Sequence, residues 1–113
     1  MKSVPLAILC FASFGLQAAT DQSCPLSLDG VAVHSAAKMC QQFNASDDQP
    51  HQSMSYHIPL STDDAIAYYQ TQHNELTVHS VFNGRTLLTM QENRVRVAIS
   101  ADNTGAQVDI LIL

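Results

Sequence analysis

The most constraining feature of this chain is the alternation of apolar and polar residues in its C-terminal third. Within the segment 94–100, Val95, Val97 and Ile99 alternate with arginine, alanine and serine residues. A period of two residues is typical of a β-strand that buries one face and exposes the other. This segment therefore predicts a strand whose valine and isoleucine side chains point into a core.

Matching apolar faces predicts how this strand pairs with the last one, 106–113. The expected partners are Val97 with Ile110, Val95 with Ile112, and Ile99 with Val108. The turn between the strands would then comprise the four residues 102–105, with glycine last. The final strand is apolar on both faces apart from Asp109, which favours an interior position in the sheet.

The dipeptide Asn83-Gly84 predicts a second hairpin, joining strands at 76–82 and 85–90. Both residues tolerate positive φ, as a two-residue hairpin loop requires. Two registers are open at this point. The simple one pairs His79 with Leu88, and the alternative contains a bulge that turns Val78 and Phe82 inward.

A strand followed by a helix precedes this meander. Alternation from Met54 to Ile58 predicts the strand, and Pro59 ends it. Ser61 is a suitable helix cap, the next residues include two aspartates that complement the helix dipole, and the helix should run to His73. The apolar residues between Val31 and Phe43 also predict a short helix.

The expected fold class is therefore α+β. One main helix packs on a mostly antiparallel sheet of about five strands, in the element order β-α-β-β-β-β. A short, disulfide-tethered segment, helical or irregular, precedes it.

Residues 1–19 resemble a cleaved signal peptide. Lys2 supplies a positive start, an apolar run follows, and the segment ends in Ala18-Ala19. The apolar run is too short to span a bilayer comfortably. A lipoprotein signal is excluded because Leu9, directly before Cys10, is not small. We therefore expect 20–113 to be one small domain, exported to the periplasm or the extracellular space.

Two cysteines remain after the leader, Cys24 and Cys40. An even pair in a small exported domain predicts a disulfide. Their spacing is unlike that of a redox-active CxxC pair. The disulfide would close a loop and so stabilise a short chain whose hydrophobic core is modest.

The net charge and the lack of catalytic and metal-binding motifs argue against several classes of function. The chain has a formal net charge of -5, and few scattered cations cannot neutralise a row of phosphates, so we expect no nucleic-acid partner. No integral membrane segment is expected after leader removal. The five histidines lack metal-ligand spacing, and the serines lack a nucleophile elbow, so the expectation is no metal, no cofactor and no catalytic residue.

One cluster of charge favours a binding role. Arg94 and Arg96 should share a strand face, opposite Val95 and Val97, with Arg85 nearby. The guanidinium group binds carboxylates in two places at once, so these arginines are the candidate contact residues for an envelope or extracellular protein. The alternative for them is a solvated face with an ion pair between Arg96 and Asp109.

The sequence thus favours a non-catalytic, exported accessory or protein-binding module. A small secreted inhibitor or effector, with a disulfide-stiffened loop that inserts into its partner, is the first alternative. A small metal-dependent or hydrolytic enzyme is the third possibility. The oligomeric state is open, and no motif is specific enough to indicate a family.

Overall fold

A computed structural model describes residues 24–113, which form one helix and two antiparallel sheets. The predicted leader and the predicted first mature residue, Thr20, lie outside the described residues. The elements, in chain order, are β1 (Ser27–Leu28), β2 (Val31–Ala32), β3 (Lys38–Phe43), β4 (Gln52–Ile58), α1 (Thr62–Gln72), β5 (Thr77–Phe82), β6 (Arg85–Met90), β7 (Val95–Asp102) and β8 (Gly105–Ile112).

The main sheet has six strands in the order β3-β4-β8-β7-β6-β5, and every neighbouring pair is antiparallel. The expected α+β class is confirmed, but the expected count of about five strands is too low. The predicted interior position of the last strand is confirmed, because β8 lies between β4 and β7.

The register predicted for the last hairpin is confirmed in all three pairs, Val97–Ile110, Val95–Ile112 and Ile99–Val108. The predicted four-residue turn is wrong, because Asp102 and Gly105 pair with each other and leave a loop of Asn103 and Thr104. Asn103 has a φ of 56°, a conformation that asparagine tolerates well. Because asparagine tolerates this conformation, a two-residue loop is possible and both strands extend by one residue more than predicted.

The Asn83-Gly84 hairpin combines the two registers considered above. Phe82 pairs with Arg85 and Ser80 with Leu87, as the simple register requires, but a bulge at His79 then places Val78 opposite Leu88. The bulge does not turn Val78 and Phe82 inward, as that alternative required, because all six residues of β5 are exposed. Strand β5 lies at the edge of the sheet, where α1 does not cover the side chains of Val78 and Phe82.

The helix follows from its capping residues. The Ser61 hydroxyl accepts a hydrogen bond from the Asp64 backbone N–H at 3.1 Å, and Asp63 and Asp64 occupy the first turn. His73 ends the helix with an extended backbone. Ala65 and Tyr69 are its buried residues and pack on one face of the main sheet. This face carries the core, and we call it the helix face.

The short helix predicted between Val31 and Phe43 is wrong. The segment instead forms β2 and the edge strand β3, which pairs with β4. Met39 has a φ of 57°, which no α-helix accommodates. The edge of β4 offers backbone hydrogen bonds to four residues of β3, and this tertiary pairing outweighs the weak local pattern.

The disulfide predicted from the cysteine pair is present between Cys24 and Cys40, with Cα atoms 5.4 Å apart. It ties the start of the described chain to β3. The β1–β2 hairpin between the two cysteines contributes Leu28, Val31 and the adjacent Val33 to the core. The tethered segment is therefore part of the packed domain.

Candidate binding trough on the open sheet face

The second face of the main sheet carries no helix or strand of the described chain, and we call it the open face. Strand alternation places on it the residues between the core positions, as Ala98 lies between Val97 and Ile99. The pairing registers align these residues in rows across the sheet. One row is Phe43–Ser53–Leu111–Arg96, the next is Ser55–Asp109–Ala98–Leu87–Ser80, and the third is Gln107–Ser100–Arg85–Phe82.

The centre of the open face is a depression that we call the trough. Its volume is about 560 Å³, within the range of small-ligand and side-chain binding sites. Small residues form its floor, namely Ser53, Ser55, Ser80 and Ala98. Larger side chains also line it, namely Phe43, Phe82, Leu87, Leu111, Arg85, Arg96 and Asp109.

Two aromatic rings mark the ends of the trough. Phe43 belongs to β3 at one edge of the sheet and is 54% exposed, and Phe82 belongs to β5 at the other edge and is 74% exposed. Aromatic rings exposed around a depression are typical of binding surfaces, because their burial on binding is strongly favourable. Sequence reasoning did not identify either ring as part of a site: it placed Phe43 on a helix and turned Phe82 inward in one of the two registers left open.

The arginines of the open face differ in their partners. Arg85 Nη2 lies 3.1 Å from Asp109 Oδ2, and Gln107 Nε2 also donates to this carboxylate. Arg96 donates from Nε to the backbone carbonyl of Asn93 at 3.1 Å. Among the described arginines, Arg96 is thus the one without a carboxylate partner. Its remaining N–H groups are available to an anion in the trough.

Arg94 does not share this site. It precedes β7, and its Nη2 lies 3.8 Å from Asp29 Oδ2 in the turn between β1 and β2. The sequence placed Arg94 and Arg96 on one face, and the structure separates them. Asp109 was expected to pair with Arg96, but it forms its ion pair with Arg85. The trough therefore contains two of the three candidate arginines, Arg85 and Arg96.

A histidine–carboxylate pair lies at the edge of the open face. His57 Nδ1 lies 3.0 Å from Asp102 Oδ2, and the ring covers Gly105. A Cβ on Gly105 would come within 2.8 Å of His57 Nε2. The His57 ring thus lies against the backbone where β8 begins, and its contact with Asp102 links β4 to the end of β7.

The helix face carries a buried chain of hydrogen bonds. The His34 backbone N–H donates to the Tyr56 hydroxyl, which donates to the Tyr69 hydroxyl, which in turn donates to the Ala32 carbonyl at 2.7 Å. The Ala32 N–H donates to His73 Nε2 at 3.0 Å. Burial raises the pKa of both tyrosines, and for Tyr69 the neighbouring Tyr56 raises it further. This chain fixes the β1–β2 hairpin onto the helix.

Comparison of the chain with family models, with curated proteins and with solved structures finds no match. Within residues 24–113, no group of three or more histidine, cysteine or acidic side chains could hold a metal ion. In the same part of the chain, no helix has the length and apolar character needed to cross a membrane. The function must therefore be argued from the trough.

Proposed function

We propose that this chain is an exported, non-catalytic binding module whose trough holds an acidic segment of a partner protein. The observation that carries the proposal is the position of Arg96, a guanidinium without a carboxylate partner beside an exposed apolar depression. Export is inferred from the leader pattern of 1–19, and it agrees with the Cys24–Cys40 disulfide.

The trough favours a ligand with two chemical parts. Phe43, Phe82 and Leu111 offer apolar surface to an aromatic or aliphatic side chain. Arg96 offers a planar fork to a carboxylate. Because Arg85 is already paired with Asp109, it adds little net charge, and Arg96 is the primary anion contact. An acidic residue next to a large apolar residue satisfies both parts.

The structure favours a binding module over an inhibitor with an inserting loop. An inhibitory loop must project from the domain to enter a partner's cleft. The loop closed by the disulfide instead anchors itself on the core through Leu28 and Val31, at 2% and 1% exposure, and leaves Leu26 and Met39 exposed. The rigid segment of this protein stabilises its own core, and the exposed apolar residues Phe43 and Phe82 lie at opposite ends of the trough.

Export is tested by N-terminal sequencing of the protein recovered from the exported fraction of its host. We expect a start near Thr20, after Ala18-Ala19. An intact Met1 in that fraction would contradict the leader assignment.

Binding is tested by selecting peptides from a random library on the immobilised wild-type protein. Selected peptides should combine an Asp or Glu with a large apolar residue. Arg96→Gln should weaken the binding of the selected peptides roughly tenfold to hundredfold, since hydrogen bonds to charged groups contribute about 1.5–3 kcal/mol.

Arg94→Gln is the matched control, because it removes the same charged group two residues away but outside the trough. It should leave peptide affinity unchanged. Equal affinity of wild type and Arg96→Gln, with both proteins folded by thermal denaturation, would overturn the proposed site.

A further inference from the structure

The edge strand β5 is exposed along its whole length. All six of its residues are exposed. Val78, Val81 and Phe82 are 47%, 64% and 74% exposed. Its inner edge pairs with β6, and no described strand pairs with its outer edge. A strand edge with free backbone groups and exposed valines is a template for pairing with another strand.

The two edges of the sheet are protected to different degrees. The β3 edge carries Lys38, an irregular register between Lys38 and Gln41, and the disulfide at Cys40. Charges and irregularities of this kind discourage edge-to-edge pairing. The β5 sequence, Thr77 to Phe82, has no acidic or basic residue other than His79 and no proline or glycine. A bulge at His79 is its one irregularity.

We propose that β5 pairs antiparallel with β5 of a second copy of this chain, joining two main sheets into one of twelve strands. Charge favours a second copy at this position. The chain has a net charge of -5, so two copies repel each other over most of their surface, but β5 brings no acidic side chains together. Pairing identical strands also covers the same exposed valines on both copies at once.

This arrangement closes on itself. Antiparallel pairing of identical strands requires a two-fold axis perpendicular to the sheet, so each copy contributes the same patch. The free edges of the joined sheet are then the two protected β3 strands, and growth stops at two copies. The same axis places both open faces on one side, which leaves both troughs accessible. The dimer therefore does not depend on the proposed ligand.

The test is the molar mass of the purified protein by light scattering and sedimentation over a concentration series. We expect the mass of two chains for wild type. Val81→Lys adds a positive charge to each of the two paired strands, one on either side of the axis, and should shift the protein to the mass of one chain. Val81 is 64% exposed, so the lysine should not disturb the fold, and Val78→Lys is a second variant with the same expected effect.

Gln42→Lys is the matched control, because it adds the same charge to an exposed position of the other edge strand. It should remain a dimer. A single-chain mass for wild type at the highest soluble concentration would overturn the proposal. So would a dimer that persists in both folded β5 variants.

Discussion

Tyr69 shows how a single hydroxyl can organise this small domain. The group is fully buried, accepts a hydrogen bond from Tyr56 and donates one to the Ala32 carbonyl. Each polar group in this series of hydrogen bonds has a defined partner. A buried polar group left without a partner costs more free energy than a hydrogen bond contributes. Sequence periodicity placed Tyr69 on the buried side of the helix but gave no indication of its partners.

Replacing Tyr69 with phenylalanine should lower the free energy of unfolding by about 1–3 kcal/mol, because the Ala32 carbonyl and the Tyr56 hydroxyl each lose a partner. Tyr68→Phe is the control, since this neighbouring tyrosine is only partly buried and its contacts are between rings. Urea denaturation measures both. Equal midpoints for the two variants would show that the hydroxyl chain does not stabilise the fold.

The same tyrosines predict a loss of stability in alkali. Burial raises the pKa of Tyr56 and Tyr69 above the ordinary value of 10.0. Above about pH 10, the unfolded chain releases these protons and the folded chain retains them, so the contribution of these tyrosines to the free energy of unfolding is constant below pH 10 and falls as pH rises further. Tyr69→Phe should show a smaller fall. Urea midpoints at increasing pH measure this, and a rise above pH 10 would contradict it.

At the scale of elements, the C-terminal half could be predicted from the sequence and the N-terminal segment could not. Strands β6, β7 and β8 follow from apolar alternation and turn residues, which act over short distances. Strand β3 depends on pairing with β4 across a long loop, and its exposed residues leave no periodic pattern. Its own sequence therefore resembles a short helix as much as a strand.

Gly105 illustrates a constraint that the turn pattern alone does not reveal. It begins β8, and a Cβ at this position would lie 2.3 Å from the Ile58 carbonyl oxygen. Gly105→Ala should therefore destabilise the protein by at least about 1–3 kcal/mol, because β4 or β8 must move. Thr104→Ala, at the exposed neighbouring position of the same turn, should be nearly neutral. Thermal denaturation that leaves both variants unchanged would argue against this close approach.

At the scale of the whole molecule, the candidate site arises from the arrangement of strands from both ends of the domain. The position of Arg96 on the strand face opposite Val95 and Val97 was evident from alternation. Phe43 and Phe82 lie far apart in the sequence and reach the same trough because β3 and β5 form the two edges of one sheet. Without the strand order, nothing in the sequence connects them.

The central claim, that the open face is the binding face, is tested most directly by methyl NMR of the labelled protein with a selected acidic peptide. Alternating side chains on the same strands supply an internal control. We expect shifts for methyl groups of the trough, namely Leu87, Ala98 and Leu111, and none for their helix-face neighbours Val97, Ile99 and Ile112. Shifts concentrated on the helix face, with the trough methyls unmoved by a bound peptide, would contradict it.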